Sequence, residues 1–217
     1  MFIDPPKNCI SCPRLADFRA DNCHSFPVFY NAPVPSFGGL DAPLLIVGLA
    51  PGLKGANATG RPFTGDYAGL ILYNALLKAG FARGEYQARV DDGLELINCR
   101  ISNALRCVPP ENKPSLSEIK ACNSFLQQEI AAMPNLKVIL SLGQLSHNAV
   151  LRALGLKTSS AKFTHSAAHK LLTTRHAPHS TFVLLNSYHT SRYNMNVGTL
   201  TVAMFDEIIR KAKSLII

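Results

Sequence analysis

Four apolar runs constrain this chain more than any other feature: Leu44–Leu49, Leu94–Ile101, Lys137–Leu142 and Phe182–Tyr188. A strand with one wet face alternates apolar and polar residues. Runs this continuous fit strands buried on both faces of a parallel sheet. Segments with helical spacing separate them. "YAGLILYNALLKAG" follows the first run, and Ser115-Leu-Ser-Glu118 is a capping box that opens "LSEIKACNSFLQQEIAAM". Gln144–Leu154 is short and amphipathic, and Thr199–Ser214 carries Val202, Phe205, Ile209 and Ala212 near one face. This alternation predicts an open α/β fold, a mainly parallel four-stranded sheet with helices on both faces. With 217 residues, 47% of them hydrophobic, the chain can fill one core but not two, so residues 1–217 are expected to form a single domain.

Open parallel sheets bind ligands beyond the carboxyl ends of their strands. "GLAPG", "SNALRC", "SLGQ" and "NSYHTSRYN" all fall at that edge, which predicts one site. The first belongs to a longer loop, "GLAPGLKGANATGRPFTGD", residues 48 to 66, between a strand and a helix. Such loops commonly cradle phosphate. This one lacks the G-K-[ST] ending of a P-loop and does not fit G-x-G-x-x-G, and it carries a phenylalanine and an aspartate instead. The net charge of +8 and pI near 9.3 favour an anionic partner such as nucleic acid. No signal peptide and no apolar stretch of membrane-spanning length is evident, so an intracellular protein with reduced cysteines is expected.

Six cysteines in such a chain suggest metal or buried thiols before disulfides. Cys9 and Cys12 form a C-x-x-C, a weak signal alone. Cys107 and Cys122 lie downstream, joined by the stiff, proline-rich "VPPENKPSLSEIKA", which would bring Cys122 back beside Cys107. Four thiolates gathered this way suit zinc or an iron–sulfur cluster, and spacing does not choose between them. Cys99 sits in an apolar run and reads as a core thiol. Cys23 is an alternative ligand, distant from any C-x-x-C partner.

Taken in order, "CISCPRL", "GLAPG", "GRPFTGD", "NALRCVPPENKP...C" and "YHTSRYNMNVGTLT" resemble the iron–sulfur uracil-DNA glycosylases, in their family-five or type B branch, from about Cys9 to Thr201. The family-four branch carries an acidic residue, "GEAPG", where this chain has Leu49. The resemblance implies the α/β glycosylase fold, a [4Fe–4S] cluster on Cys9, Cys12, Cys107 and Cys122, and removal of uracil and sometimes other deaminated bases from DNA. It also implies a monomer acting in the cytoplasm at the nucleoid. Two positions depart from the family pattern: His189-Thr190-Ser191 stands where H-P-S is usual, removing the rigidity of proline, and Val197 stands where threonine is frequent.

An enzyme that acts on a base in a duplex must flip the nucleotide into a pocket. Under the resemblance, the backbone at Gly48, Leu49, Ala50 and Gly52 approaches the flipped base, and Phe63 offers a stacking face. Asp66 steadies the sugar cation and orients water, while also being placed to cap a helix. His189 donates to the departing base, and Asn103 pairs with its N3–H and O4. Ser191, Arg192 and Asn194 would contact DNA beside the flipped base. His165 and His169, in "FTHSAAHK", read as a loop beside the DNA without a catalytic part. Two other classes stand against this reading. A non-catalytic iron–sulfur or zinc module binding nucleic acid would not need Asp66 and His189. An enzyme of free nucleotides would need a phosphate-cradling lysine or a metal-binding acidic pair, which the loop does not supply.

Overall fold

The computed structural model of the protein describes residues 4–173 and 180–216. In chain order its elements are α1 (Pro13–Ser25), β1 (Leu44–Gly48), α2 (Ala56–Thr59), α3 (Tyr67–Ala79), β2 (Ala82–Arg83), β3 (Glu95–Leu96) and β4 (Cys99–Asn103). There follow α4 (Leu116–Ala131), β5 (Val138–Leu142), α5 (Gln144–Ala153), β6 (Ala168–Thr173), β7 (Ser180–Ser187), α6 (Arg192–Asn196) and α7 (Val202–Ser214). The main sheet runs β4-β1-β5-β7-β6, with the first four strands parallel and β6 antiparallel to β7.

The open α/β fold with helices on both faces is as the sequence predicts, and two details differ. The sheet has five strands, not four. Ala168–Thr173, whose first three residues belong to the stretch "FTHSAAHK" read from sequence as a loop, is an edge strand with Leu171 buried and Leu172 exposed, a half-wet alternation quite unlike the continuous runs. The run Leu94–Ile101 is not one strand. It breaks at Asn98, whose φ of 53° is left-handed; β3 before it pairs with β2 in a separate hairpin, and β4 after it joins the sheet.

Burial on both strand faces explains the unbroken apolar runs. In β1, Leu44 and Ile46 face a core shared with α3 and α7, while Leu45 and Val47 face a second core under α4 and α5. The helices begin where side chains satisfy their first amides. Asp66 accepts from Gly69 N at 2.9 Å to start α3, Ser115 and Glu118 form the reciprocal box of α4, and Thr201 accepts from Met204 N to start α7.

One buried charge cluster joins helix to sheet. Glu129 of α4 is fully buried and accepts from Arg100 Nε at 2.6 Å, Arg106 at 2.6 Å and Ser102 Oγ at 2.7 Å. Arg100 also donates to the Gly38 carbonyl, and Arg106 reaches Asp4 Oδ1 at 2.8 Å. Burial would raise the Glu129 carboxyl, but Arg106 and Arg100 hold it below its ordinary 4.5. A depressed carboxyl stabilises the fold above its unfolded value and loses that contribution as pH falls through the folded one. Glu129→Gln leaves two guanidinium groups short of their counter-charge and should cost about 3–5 kcal/mol in chemical denaturation at pH 7. The difference from wild type should shrink below pH 4.

Candidate functional site

The carboxyl ends of β1, β4, β5 and β7 open onto a cleft of about 820 Å³. Leu49, Ala50 and Gly52 line it from the turn after β1, Phe63 and Asp66 from the loop into α3, and Asn103 from the end of β4. Gly143 and Gln144 line it at the start of α5, and His189, Ser191 and Arg192 after β7. The structure thus brings together most of the residues singled out in the sequence. Gly48 lies at the base of the cleft without lining it, and Asn194 lies outside.

Gly48 is required where it stands. A Cβ there would sit 2.3 Å from Asn103 Oδ1 and 2.5 Å from the Phe63 ring, so only glycine lets the amide and the ring converge on one point. Both are buried, at 3% and 5% exposure. Phe63 holds a left-handed φ of 53°, which costs a non-glycine residue about 1–3 kcal/mol and persists only where its surroundings enforce it. Asn103 Oδ1 has no hydrogen-bond partner. Among the described residues, Asn22 Nδ2 and Asn186 Nδ2 share that condition, but neither lines the cleft. Buried acceptors are rarely left unpaired, and one at a cavity wall is open to a donor that enters the cavity.

Asp66 caps a helix, as the sequence suggests, and also lines the cleft. Its Oδ1 caps α3, and its Oδ2 faces Gly52 and Gly55, where a Cβ on Gly55 would come within 2.7 Å. His189 lies across the cleft, its ring centroid 6.0 Å from that of Phe63. Burial lowers the pKa of the imidazole, and Asp66 opposes this without reversing it, so His189 is neutral at pH 7. Its loop is tied down from both sides. Asn194 Nδ2 donates to the His189 carbonyl at 2.8 Å, and the fully buried Thr190 donates from Oγ1 to the Ala68 carbonyl at 3.3 Å. The threonine hydroxyl thereby pins the segment to α3 where the family pattern has proline. Ser191 caps α6 by accepting from Asn194 N, Val197 is exposed, and the Arg192 guanidinium stands over the Tyr67 ring at 5.2 Å.

There is a second, much smaller cavity. Cys9, Cys12, Cys107 and Cys122 all line it, together with Arg19, Leu105 and Phe125. Arg19 donates to Cys107 Sγ at 3.6 Å and to the Cys9 carbonyl at 2.8 Å. Burial, and after it the neighbouring thiols, push Cys12 up to about 11. Burial pushes Cys107 up to about 12, against the partial opposition of Arg19. Ala50, which lines the cleft, also packs against the cluster of Leu15, Leu105 and Cys122 beside this cavity. Cys23 is exposed and Cys99 is buried in β4; neither lines the cavity.

Sequence reasoning did not single out Asn112, Tyr67, Lys54, Leu145 and Ser146, which also line the cleft. Asn112 arrives there through two consecutive left-handed residues, Glu111 at φ 54° and Asn112 at φ 57°. Nothing in the pattern of "PPENKP" announces that turn, since neither residue is glycine. Of the two loop histidines, His169 lies in β6 and donates to the Lys162 carbonyl, and His165 stacks on Tyr188 and accepts from its amide. Neither lines the cleft.

Comparison with known proteins follows the same geometry. The chain matches the uracil DNA glycosylase superfamily over residues 35–213. It is 37% identical to a type-5 uracil-DNA glycosylase of Thermus thermophilus over 99% of this chain and 96% of the relative. Against a type-5 uracil-DNA glycosylase of Pyrobaculum aerophilum it is 35% identical, over 97% and 90%. A type-4 uracil-DNA glycosylase of the same organism is 34% identical, but over only 69% of this chain and 62% of the relative.

The electrostatics of the cleft can be read directly. An NMR titration of the His189 ring should give a midpoint below the ordinary 6.5, with Asp66→Asn lowering it further by removing the opposing charge. A midpoint above 6.5 would show that Asp66 outweighs burial.

Proposed function

The chain belongs to the uracil DNA glycosylase superfamily, and from that premise we propose that it is a monofunctional DNA repair glycosylase of the type-5 kind. It flips uracil out of DNA and hydrolyses the N-glycosidic bond, leaving an abasic site. The observation that carries the substrate reading is the unpaired Oδ1 of Asn103, buried in the cleft beside the Phe63 ring. Uracil presents an N3–H donor to meet that oxygen and an O4 acceptor to meet the amide nitrogen, while its ring stacks on Phe63. Cytosine reverses both polarities and leaves buried groups unpaired, at about 1–3 kcal/mol each.

Bond cleavage then draws on two further groups. As the C1′–N1 bond lengthens, negative charge gathers on the base and positive charge on the sugar. The neutral His189 donates a hydrogen bond toward O2 of the leaving base, and a neutral imidazole can do so without itself needing a counter-charge. Asp66, its second oxygen free of the helix cap, steadies the cationic sugar and holds the attacking water. Gly52 and Gly55 keep the space beside that carboxylate open. Arg192 and Ser191 at the rim hold phosphates of the strand, and Asn194 serves from behind by fixing the His189 carbonyl. All these residues come from one chain, so the reading needs only a monomer, and a DNA substrate fits a protein that works at the chromosome. Among the described residues, no helix is long and apolar enough to cross a membrane.

The donor set of four thiols fits an iron–sulfur cluster. All four line one small cavity, where Arg19 also donates to Cys107 Sγ. We assign a [4Fe–4S] cluster to Cys9, Cys12, Cys107 and Cys122. Bound there, it would cross-link the N-terminal turn, α1, the turn after β4 and α4, a structural service outside the reaction.

Single-turnover release of base from oligonucleotides tests the reading. Asp66→Asn keeps the cap and removes the charge, so release should fall strongly while DNA binding persists; His189→Ala should slow release by roughly 10²–10³. Asn103→Asp should erode the preference for uracil over cytosine. Near-normal rates in both Asp66→Asn and His189→Ala, or an unchanged uracil-to-cytosine ratio, would overturn the assignment of those residues. For the metal, purified protein should be brown and contain iron and sulfide, and Cys107→Ser should bleach it and lower its Tm. Colourless protein holding one zinc would overturn the cluster.

A further inference from the structure

Phe63 occupies a strained backbone conformation, and the groups that enforce it lie behind the cleft. Tyr86 Oη donates to the Phe63 carbonyl at 3.1 Å, and the fully buried Tyr73 donates to the Pro62 carbonyl at 2.6 Å. Arg61 Nε donates to Thr64 Oγ1 at 2.8 Å, and Thr59 Oγ1 donates to the Thr64 carbonyl at 3.1 Å. The residues before and after Phe63 are therefore all held, and Phe63 itself is held by its own carbonyl.

The anchor of this array is a buried ion pair. Arg61 forms a two-pronged bridge to Asp92 at 2.8 and 2.7 Å, both side chains nearly or fully buried. Its guanidinium lies 5.2 Å from the Phe37 ring centroid, 5.5 Å from that of Tyr73 and 5.9 Å from that of Tyr86. Asp92 also accepts from Gln87 N and Leu94 N, so it fixes the segment that presents Tyr86. A Cβ on Gly69 would lie 1.6 Å from the Phe63 carbonyl oxygen and 2.7 Å from Tyr86 Oη, so α3 closes the third side. Apart from Phe63 itself, none of the groups that bind this loop from behind lines the cleft.

We propose that Tyr86, with the Arg61–Asp92 pair that seats it, is a positioning device of the site: it sets the plane of the Phe63 ring, and through that ring the place of the flipped base. The inference rests on the glycosylase reading and deepens it. Tyr86 does not line the cleft that would hold the base; it faces a neighbouring cavity with Asp66, Tyr67 and Arg192. Its hydroxyl fixes one carbonyl, the carbonyl fixes a left-handed φ, and that φ aims the ring past Gly48 at the Asn103 amide. A ring released from this clamp relaxes toward ordinary backbone geometry, and the base then meets Asn103 out of plane.

A double-mutant cycle tests this, because a group acting through Phe63 has nothing to act on once that ring is gone. Tyr86→Phe removes only the hydroxyl, and uracil release under single turnover should fall by about threefold to tenfold, the worth of one hydrogen bond. Affinity for undamaged DNA should stay within about twofold, since no charged group is removed; a larger loss would mean that the Tyr86 hydroxyl contacts DNA directly and would overturn the proposal. In a Phe63→Ala background the same Tyr86→Phe change should do nothing further. Asp92→Asn, which weakens the bridge, should repeat the pattern. Wild-type release in Tyr86→Phe, or an equal further loss in Phe63→Ala, overturns the proposal. Should the wild type itself release no uracil, the glycosylase reading falls instead. The clamp is then read from amide hydrogen exchange at Phe63 and Thr64, which is faster in Tyr86→Phe if the clamp holds them and unchanged if it does not.

Discussion

The carboxylate of Glu129 is the point on which the rest of the molecule depends. Buried ion clusters are costly, and a well-packed apolar replacement is often as stable. What this one supplies is location. Its carboxylate receives hydrogen bonds from Arg100 and Ser102, within β4, and from Arg106, in the turn that follows, so the helix and the strand end cannot slide past each other. Asn103 lies between those partners and Cys107 directly after them. The same anchor therefore sets both the amide in the cleft and the thiol of the second cavity.

Strain and support divide the site differently. Three groups at the cleft are held in unfavourable states: an acceptor without a donor at Asn103, an imidazole left neutral by burial, a backbone at Phe63 in an unfavourable region. The groups that support them from behind are well bonded, as at Arg61, Thr190 and Glu129. A reactive centre of this kind needs groups poised for charge that has not yet developed. Those groups are unfavourable at rest, and a well-bonded layer behind them keeps them from relaxing. Asp66 stands at the boundary, one oxygen in the helix cap and the other in the cleft.

The sequence disclosed the fold wherever its physics is local. Unbroken apolar runs marked β1, β5 and β7, because burial on both faces leaves no polar period, and Ser115-Leu-Ser-Glu118 marked α4, because a capping box is written in four consecutive residues. β6 escaped notice because a half-exposed edge strand of six residues looks like a loop. The break at Asn98 escaped because asparagine tolerates left-handed backbone without glycine's signature. At the site, the loop motifs named Phe63, Asp66, Asn103 and His189. The Arg61–Asp92 bridge spans 31 positions and Asn112 arrives by an unmarked turn, so nothing local could reveal either.

The pairing of Gly48 with Asn103 has a last consequence. They are the final residues of β1 and β4, facing each other in register, and successive side chains along a strand point to opposite faces. One residue added within β4 would bring Ser102 to the place of the amide, turn its neighbours to the wrong layer and draw Arg100 away from Glu129. The sheet thus works as a ruler, on which the chemistry is marked by counting. A residue added in a connecting loop leaves those marks in place, whereas one added within a strand displaces them.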